Sequence, residues 1–230
     1  HARSLALAQP VTTKPTRGHP LASRLADNAA ALLNAYRVNA RAIDEGRAIT
    51  PAAEWLVDNY HLVERQIREI RSDLPAGYYR QLPKLSDGPF QGYPRVFGVA
   101  WAFVAHTDSR FDPEVLCRFV RAYQSAEPLT IGELWAVSIT LRIVLVENLR
   151  RLAERIVLGR AARQEADTIA DRLLGLNGHA VDPNALFDSF ERDVPLSSAF
   201  AVQLVQRLRD QDPRVTPALL WLEERLAAQG

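Results

Sequence analysis

The sequence contains one cysteine, Cys117, and no methionine. A single cysteine cannot form an intrachain disulfide, so a fold held by disulfides is excluded and a reducing compartment is favoured. Its neighbours Leu116, Phe119 and Val120 form the pattern of a helix side, which predicts an inert thiol rather than a nucleophile. Because residue 1 is His1 and no methionine follows, we expect a chain trimmed from a longer protein.

An excess of charge of one sign and a long apolar run are also missing. The 28 basic and 27 acidic residues give a net charge of +1, which predicts no nucleic-acid partner. The most apolar stretch, residues 134–146, contains Ser138, Thr140 and Arg142, whereas a bilayer-spanning helix needs about 20 apolar residues. Residues 1–20 lack the apolar centre of a signal peptide. We therefore predict a soluble fragment without a transmembrane segment.

Several motifs of enzymes and metal sites are absent. The sequence has no HExxH or CxxC pattern, EF-hand loop, Walker or Rossmann glycine loop, or serine-hydrolase elbow. Asp58 and His61 are three residues apart, but a di-metal site in a bundle needs a second such pair and further carboxylates. Asp210 and Asp212 resemble a metal-binding acidic triplet, yet Pro213 follows directly, which favours a helix stop. We predict no catalytic residue, no metal site and no cofactor in this fragment.

Helical periodicity dominates what is present. Apolar residues recur every three to four positions, and Thr50, Asp112 and Thr130 stand where capping side chains begin helices. No stretch alternates as a strand does. The sequence predicts an all-α, compact multi-helix bundle. The expected helices are at 21–45, 51–74, 94–106, 113–126, from 130 to 176 with a break near Gly159 as an alternative, and then 183–191, 196–210 and 215–228.

Two regions depart from this pattern. Residues 1–19 contain two prolines and no periodicity, which predicts a loose leader or a remnant of trimming. Residues 75–95 combine proline and glycine with four aromatic side chains, so we expect an ordered irregular segment packed on the helices. The predicted organisation is one all-α domain over 20–230, with a subdivision near 159–180 as an alternative.

Polar residues within apolar helices form the candidate site. Buried charges are tolerated when they are paired, so these residues predict a network that joins the irregular segment to the helices. The same residue types suit sugar binding, and a carbohydrate-binding cleft is the second interpretation. The candidate residues are Asp58, Asn59, Arg68, Tyr78, Tyr79, Arg80, Tyr93, Arg95, Glu133, Arg142, Glu147 and Asn148. Of these, Arg142 and Glu147 are expected to be mostly buried and paired.

Long motifs, which cover most of the chain beyond about residue 20, carry a family resemblance. They are WLVDNYHLVE at 55–64, QIREIR at 66–71, YYRQLP at 78–83, GYPRV at 92–96, AHTD at 105–108, FVRAYQ at 119–124, LTIGELWA at 129–136, ENLRRLA at 147–153 and RLRDQDP at 207–213. The chain resembles the N-terminal region of cyclic β-1,2-glucan synthases. It departs from the family at Ser138 and Thr140, where proline and methionine are expected.

The resemblance implies a large bacterial inner-membrane protein as the parent. Such a parent polymerises glucose from UDP-glucose in a membrane-embedded glycosyltransferase domain with a divalent metal, and a C-terminal glycoside-phosphorylase-like domain trims the chain. None of those catalytic stretches matches this sequence. The expected location is the cytoplasmic face of the inner membrane, and the expected partners are other domains of the parent and a glucan oligosaccharide.

Three functional hypotheses follow. The leading one is a non-catalytic scaffold or regulatory domain of a cyclic β-1,2-glucan synthase. The second is a carbohydrate-binding module that holds the β-1,2-glucan chain, and the third is an enzyme active in isolation.

Overall fold

The computed structural model describes residues 1–12, 20–74, 77–176, 178, 196–209 and 216–228. About three quarters of these residues are helical and only four lie in strands, so the all-α prediction is confirmed. The helices are α1 (Ala2–Ala8), α2 (Leu21–Asp44), α3 (Pro51–Asp73), α4 (Tyr78–Gln81), α5 (Arg95–His106), α6 (Pro113–Gln124), α7 (Ile131–Leu174), α8 (Ser198–Leu208) and α9 (Thr216–Ala227). The helix predicted at 183–191 and the Asp210–Asp212 triplet lie outside the described residues.

Capping side chains set the starts of the main helices. Thr50 accepts a hydrogen bond from the backbone N–H of Ala53 (3.3 Å), and Asp112 accepts one from that of Glu114 (2.8 Å). In both cases a proline follows at the first helical position, where its fixed φ fits and its missing N–H costs nothing. The predicted helix starts at Pro51 and Pro113 are confirmed.

The chain divides into two compact units, His1–Glu154 and Arg155–Gly230, which are called unit 1 and unit 2 below. The boundary falls inside α7, which runs from Ile131 to Leu174 through Gly159 without a break. The sequence placed its alternative subdivision later, near 159–180. The assignment of residues 20–230 to one domain stays a prediction.

In unit 1, α2 packs on α3 through the faces that the apolar periodicity marked. Leu25, Leu32, Leu56 and Ile70 are fully buried there. Helix α5 is buried on most sides, with Phe97 and Phe103 almost fully enclosed. This helix therefore lies at the centre of unit 1, and its first residue, Arg95, enters the core.

The expected loose leader is partly ordered, which corrects the prediction for residues 2–12. Helix α1 buries Ala2 and Ala6 and packs on α6. Val11 and Thr12 then form strand β1, which pairs antiparallel with β2 (Lys84–Leu85). Small side chains let α1 approach its neighbour closely, and apolar periodicity does not report such contacts. Residues 13–19 lie outside the described part.

The described part of the irregular segment is ordered as predicted, and residues 75 and 76 lie outside the described residues. Residues 77–94 contain α4, β2 and turns, and Phe90 lies edge-on to Phe97 with ring centroids 5.4 Å apart. Tyr93 stacks on Phe97 at 5.0 Å. The aromatic rings thus replace regular secondary structure in joining this segment to α5.

In unit 2, the core is formed by apolar side chains of α7, α8 and α9. Alanines and leucines predominate in it, including Ala166, Ala170, Leu173, Leu204, Leu208 and Leu222. Across the described residues of both units, no helix combines the length and apolar character needed to cross a bilayer.

Candidate functional site

The first buried ion pair joins α5 to the start of α7. Arg95 Nε lies 2.8 Å from Glu133 Oε1, and Arg95 Nη2 lies 2.7 Å from Glu133 Oε2. Side-chain exposure is 3% for Arg95 and 0% for Glu133. Two parallel N–H···O bonds match the fork of the guanidinium to the carboxylate, which is the geometry that best offsets the cost of burying both charges.

Glu133 also caps α7. Its Oε2 accepts the backbone N–H of Thr130 (2.9 Å), while Thr130 Oγ1 accepts the backbone N–H of Glu133 (3.2 Å). This reciprocal arrangement is a capping box, in which the negative charge also faces the positive end of the helix dipole. One carboxylate therefore fixes both the start of α7 and the position of Arg95.

Burial and nearby charges shift the pKa values of Arg95 and of the neighbouring Tyr123. Burial alone would lower the pKa of Arg95, but the hydrogen bonds and charge of Glu133 outweigh it and raise the pKa. Tyr123 is fully buried beside them, and burial raises its pKa to about 12 although the positive charge of Arg95 opposes the shift. Its hydroxyl donates to Gln9 Oε1 at 3.1 Å. Each charged or polar side chain of this group is thus bonded to another residue of unit 1.

The second buried carboxylate is Glu147, four turns further along α7. Its Oε2 accepts from Arg24 Nε (3.0 Å) and Asn28 Nδ2 (2.8 Å), and its Oε1 accepts from Arg150 Nη2 (3.0 Å). Burial would raise the pKa of Glu147, but the hydrogen bonds from Asn28 and Arg150 and the charges of Arg24 and Arg150 lower it. Glu147 is thus a buried, charged anchor between α2 and α7.

Arg24 links this anchor to the irregular segment. Its Nη1 donates to the Tyr93 hydroxyl (3.0 Å), and its guanidinium carbon lies 5.2 Å from the centroids of both the Tyr93 and Phe97 rings. A guanidinium over an aromatic face is attracted by the ring quadrupole. The predicted role of the network, joining residues 75–95 to the helices, is consistent with this geometry.

Two further side chains, Lys84 and Tyr78, hold the segment through hydrogen bonds to backbone carbonyls. The buried Lys84 donates its ammonium protons to the carbonyls of Leu82 (2.7 Å) and Tyr79. Burial lowers the pKa of Lys84, while the charge of Glu133 opposes that effect. The Tyr78 hydroxyl donates to the Gly132 carbonyl.

Arg142 is paired outside the core. Its guanidinium contacts the carboxylates of Glu69 (3.0 Å) and Asp73 (3.3 Å) on α3 and remains 30% exposed. The partners are 48% and 58% exposed, so the pair is far more solvated than the sequence predicted. Glu147, in contrast, is as buried as expected and has different partners.

Four of the candidate residues are not part of the network. Asp58 is exposed, and Asn59 donates to the carbonyl of Trp55 within its own helix. Arg68 is 68% exposed and lies 3.8 Å from Glu64, while Arg80 is exposed. These side chains lie on the solvent faces of α3 and α4. The sequence did not predict this, because a stretch that mixes apolar and polar residues does not show which helix face the polar ones occupy.

Sequence reasoning missed Arg24, Asn28, Lys84 and Arg150. Asn28 lies on the buried stripe of α2, four residues before Leu32, so its position on the apolar face was a usable signal. Arg150 lies three residues after Glu147 and four before Glu154, a spacing typical of ion pairs within a helix, so it too could have been found. No local pattern marks Lys84 or Arg24, whose partner Glu147 lies 123 residues away in the chain.

Asn148, the last candidate, lines a separate pocket of about 150 Å³. Its Nδ2 donates to Ser109 Oγ at 2.6 Å, and the Arg151 guanidinium lies 5.6 Å from the centroid of the Trp101 ring. Asp108 and Ser109 have positive φ values of 49° and 62°. This pocket, called the Trp101 pocket below, is bounded by Trp101, Asp108, Ser109, Val144, Asn148 and Arg151.

Within the described residues, no three His, Cys, Asp or Glu side chains converge as metal ligands would. No known family model matches the chain. The chain is 41% identical, over 208 residues, to the cyclic β-(1,2)-glucan synthase NdvB of Rhizobium meliloti (strain 1021). The match covers 90% of this chain and 7% of the relative. The resemblance stated above is therefore confirmed, and this chain is homologous to a segment of a cyclic β-(1,2)-glucan synthase.

Proposed function

We propose that this chain is a non-catalytic scaffold or regulatory domain of a cyclic β-1,2-glucan synthase. Since it spans 7% of its relative, polymerisation of glucose from UDP-glucose would take place in other parts of the parent. Those parts would also bind UDP-glucose and the divalent metal, at the cytoplasmic face of the inner membrane. No catalytic residue is assigned to this segment.

The observation that carries this proposal is the set of hydrogen-bond partners of the two buried carboxylates. Glu133 is bonded by Arg95 and Thr130, and Glu147 by Arg24, Asn28 and Arg150. A general acid or base needs a perturbed proton affinity and access to substrate. Here both carboxylates are buried and each is bonded to donors of the protein itself, as expected of groups that fix the positions of helices.

A scaffold also needs a surface for its partner, and the start of α7 offers one. Ile131 and Trp135 lie one helical turn apart and are 75% and 80% exposed. Leu134, beside them, is 37% exposed. The first two turns of α7 thus present an apolar face. Because the relative is many times longer than this segment, we propose another segment of the parent polypeptide as the occupant.

The test uses the full parent synthase in membranes. Initiation, elongation and ring closure would be measured separately with labelled UDP-glucose, after normalisation to protein abundance. Deletion of residues 51–150 should abolish at least one step, and Trp135→Ala should lower the same step. Trp55→Ala is the matched control, because Trp55 is also exposed (53%) but lies on α3.

Two results would contradict the proposal. One is unchanged synthesis and ring closure after the deletion. The other is release of UDP from UDP-glucose by the 230-residue chain alone, which would support an enzyme active in isolation.

A carbohydrate-binding module that holds the β-1,2-glucan chain is the second candidate. The observation that favours it is the Trp101 pocket, which combines an aromatic ring with hydrogen-bonding side chains. Titration of the 230-residue chain with β-1,2-linked glucan oligosaccharides separates the two candidates. Absence of binding at millimolar oligosaccharide would exclude the module and leave the scaffold proposal unaffected.

A further inference from the structure

The Trp101 pocket differs from the buried clusters because two of its charged side chains are not hydrogen-bonded or ion-paired to each other. Among the described residues, the Asp108 carboxylate forms no hydrogen bond or ion pair. Arg151 contacts the Trp101 ring rather than a carboxylate. An acceptor and a donor of opposite charge therefore border one concave space without neutralising one another directly.

We propose that this pocket binds one ring of a neutral pyranose. A sugar ring presents hydroxyl groups that donate to a carboxylate and accept from a guanidinium or an amide. Asp108 would accept such hydroxyl protons, and Arg151 and Asn148 would donate to hydroxyl oxygens. The Trp101 ring, which lines the pocket, would contact the C–H groups of the sugar ring.

The size and charge of the pocket restrict the ligand class. Its volume of about 150 Å³ is below the roughly 300–1,000 Å³ of pockets for drug-sized ligands, so one small ring fits. Asp108 and Arg151 together give no net charge. The Asp108 carboxylate would repel a phosphate or carboxylate ligand, and the Arg151 guanidinium would repel a cation. A neutral ligand is therefore the class that both residues accept.

The polar wall of the pocket is preorganised. Asp108 and Ser109 both adopt the left-handed backbone conformation, which costs free energy for residues other than glycine. The hydrogen bond from Asn148 to Ser109 holds that turn against α7. A fixed wall loses less conformational entropy when a ligand binds.

The pocket also lies apart from the face proposed for docking. Its residues come from the end of α5, the following turn and the middle of α7, whereas Ile131 and Trp135 lie in the first two turns of α7. The inference rests on the second candidate function, the carbohydrate-binding module, and specifies which pocket would hold one sugar ring. It is independent of the scaffold role, and either can fail without the other.

The test is titration of the ¹⁵N-labelled 230-residue chain with methyl β-D-glucopyranoside, followed by NMR. The Trp101 indole N–H and the Asn148 side-chain amide should shift with a saturable, millimolar dependence. Cyclohexanol is the control ligand, because it has a ring of similar size but only one hydroxyl group. Equal shifts with cyclohexanol would overturn the proposal, since they would indicate apolar contact without hydroxyl recognition.

Substitutions locate the binding. Asp108→Asn and Arg151→Gln should each weaken binding about tenfold, since each removes a hydrogen bond to a charged group. Asp58→Asn and Arg155→Gln are matched controls on exposed residues outside the pocket, and they should leave binding unchanged. Both pocket substitutions involve exposed side chains, so the amide spectrum should show an intact fold.

Trp101→Phe keeps an aromatic ring against Phe90 and Phe97 and should weaken binding by several-fold. The proposal is wrong if the glucoside produces no shift at these two side chains. It is equally wrong if binding survives Asp108→Asn and Arg151→Gln unchanged.

Discussion

Units 1 and 2 differ in the kinds of side chain that they bury. All the buried polar residues among those described belong to unit 1, namely Asn28, Asn39, Lys84, Arg95, Glu133, Thr140 and Glu147. The core of unit 2 consists of alanine, leucine, isoleucine and phenylalanine side chains. Its charged contacts, such as Gln203 with Asp167 (2.7 Å), are only part-buried.

This difference indicates what selects a single arrangement of the packed elements in each unit. An apolar interface tolerates many arrangements of similar volume, whereas a buried charge pair is satisfied in one register only. Unit 1 must place an irregular segment against helices, and that segment has no backbone periodicity to define its position. We infer that the Arg95–Glu133 and Arg24–Glu147 pairs define the position of this segment. Unit 2 contains helices alone in its described part, and its core contains no buried ion pair there.

The largest expected effect is that of Arg95→Leu in unit 1. Removing Arg95 leaves the fully buried Glu133 without its charge partner, and we expect a loss of about 3–5 kcal/mol in the free energy of unfolding. Urea unfolding followed by circular dichroism measures it. The double variant Arg95→Leu with Glu133→Leu should recover part of the loss. A loss below about 1 kcal/mol in the single variant would show that the pair is dispensable.

In unit 2, Leu204→Ala should cost about 3 kcal/mol, because it leaves a cavity in an apolar core at a side chain that is fully buried. Amide hydrogen exchange in α8 reports the local loss of stability. Val202→Ala on the same helix is the control, since Val202 is 56% exposed and should change little. Equal exchange in the two variants would count against the assigned core.

The acid stability of unit 1 should depend on Glu147. Its folded-state pKa is lowered, so its stabilising contribution is complete above the unfolded value of about 4.3 and is lost as pH falls through the folded-state pKa. Glu147→Gln should remove this part of the pH dependence while lowering stability at pH 7. Thermal melts between neutral and acid pH measure it. An identical acid profile in the variant would contradict the role of this carboxylate.

Arg142→Leu should have the smallest effect, at most about 1 kcal/mol, because its partners Glu69 and Asp73 are about half-exposed. The sequence-based interpretation placed Arg142 in a buried network, for which a loss of about 3–5 kcal/mol would be expected. A melting midpoint close to that of the unmodified chain therefore supports the structure. A large drop in the melting midpoint would instead support the sequence-based interpretation, in which Arg142 belongs to a buried network.

Much of the fold could be predicted because its signals are local. Thr50 and Asp112, each before a proline, define helix starts through bonds that span two or three residues. The alternation of apolar residues in α2 and α3 marks the faces that meet. Helix α1 and strand β1 escaped prediction, since alanine contacts and a two-residue strand leave no periodic trace.

The candidate site was predictable only in part. The sequence selected Arg95, Glu133 and Glu147 because charged residues stood within apolar stretches, and all three are buried. It also selected Asp58 and Arg68 on the same grounds, and both face solvent. A helical stretch places a charge on one of several faces, and only packing by distant residues decides which face is enclosed.

The sequence by itself determined the helical class, the positions of the main helix starts and the homology to a glucan synthase segment, because each depends on neighbouring residues or on aligned identity. The tertiary structure decided which charges pair, since Arg24 and Glu147 are 123 residues apart in the chain. It also decided that Trp135 is exposed and that Asp108 faces a pocket. Burial is a property of the assembled helices, and no single stretch of sequence contains it.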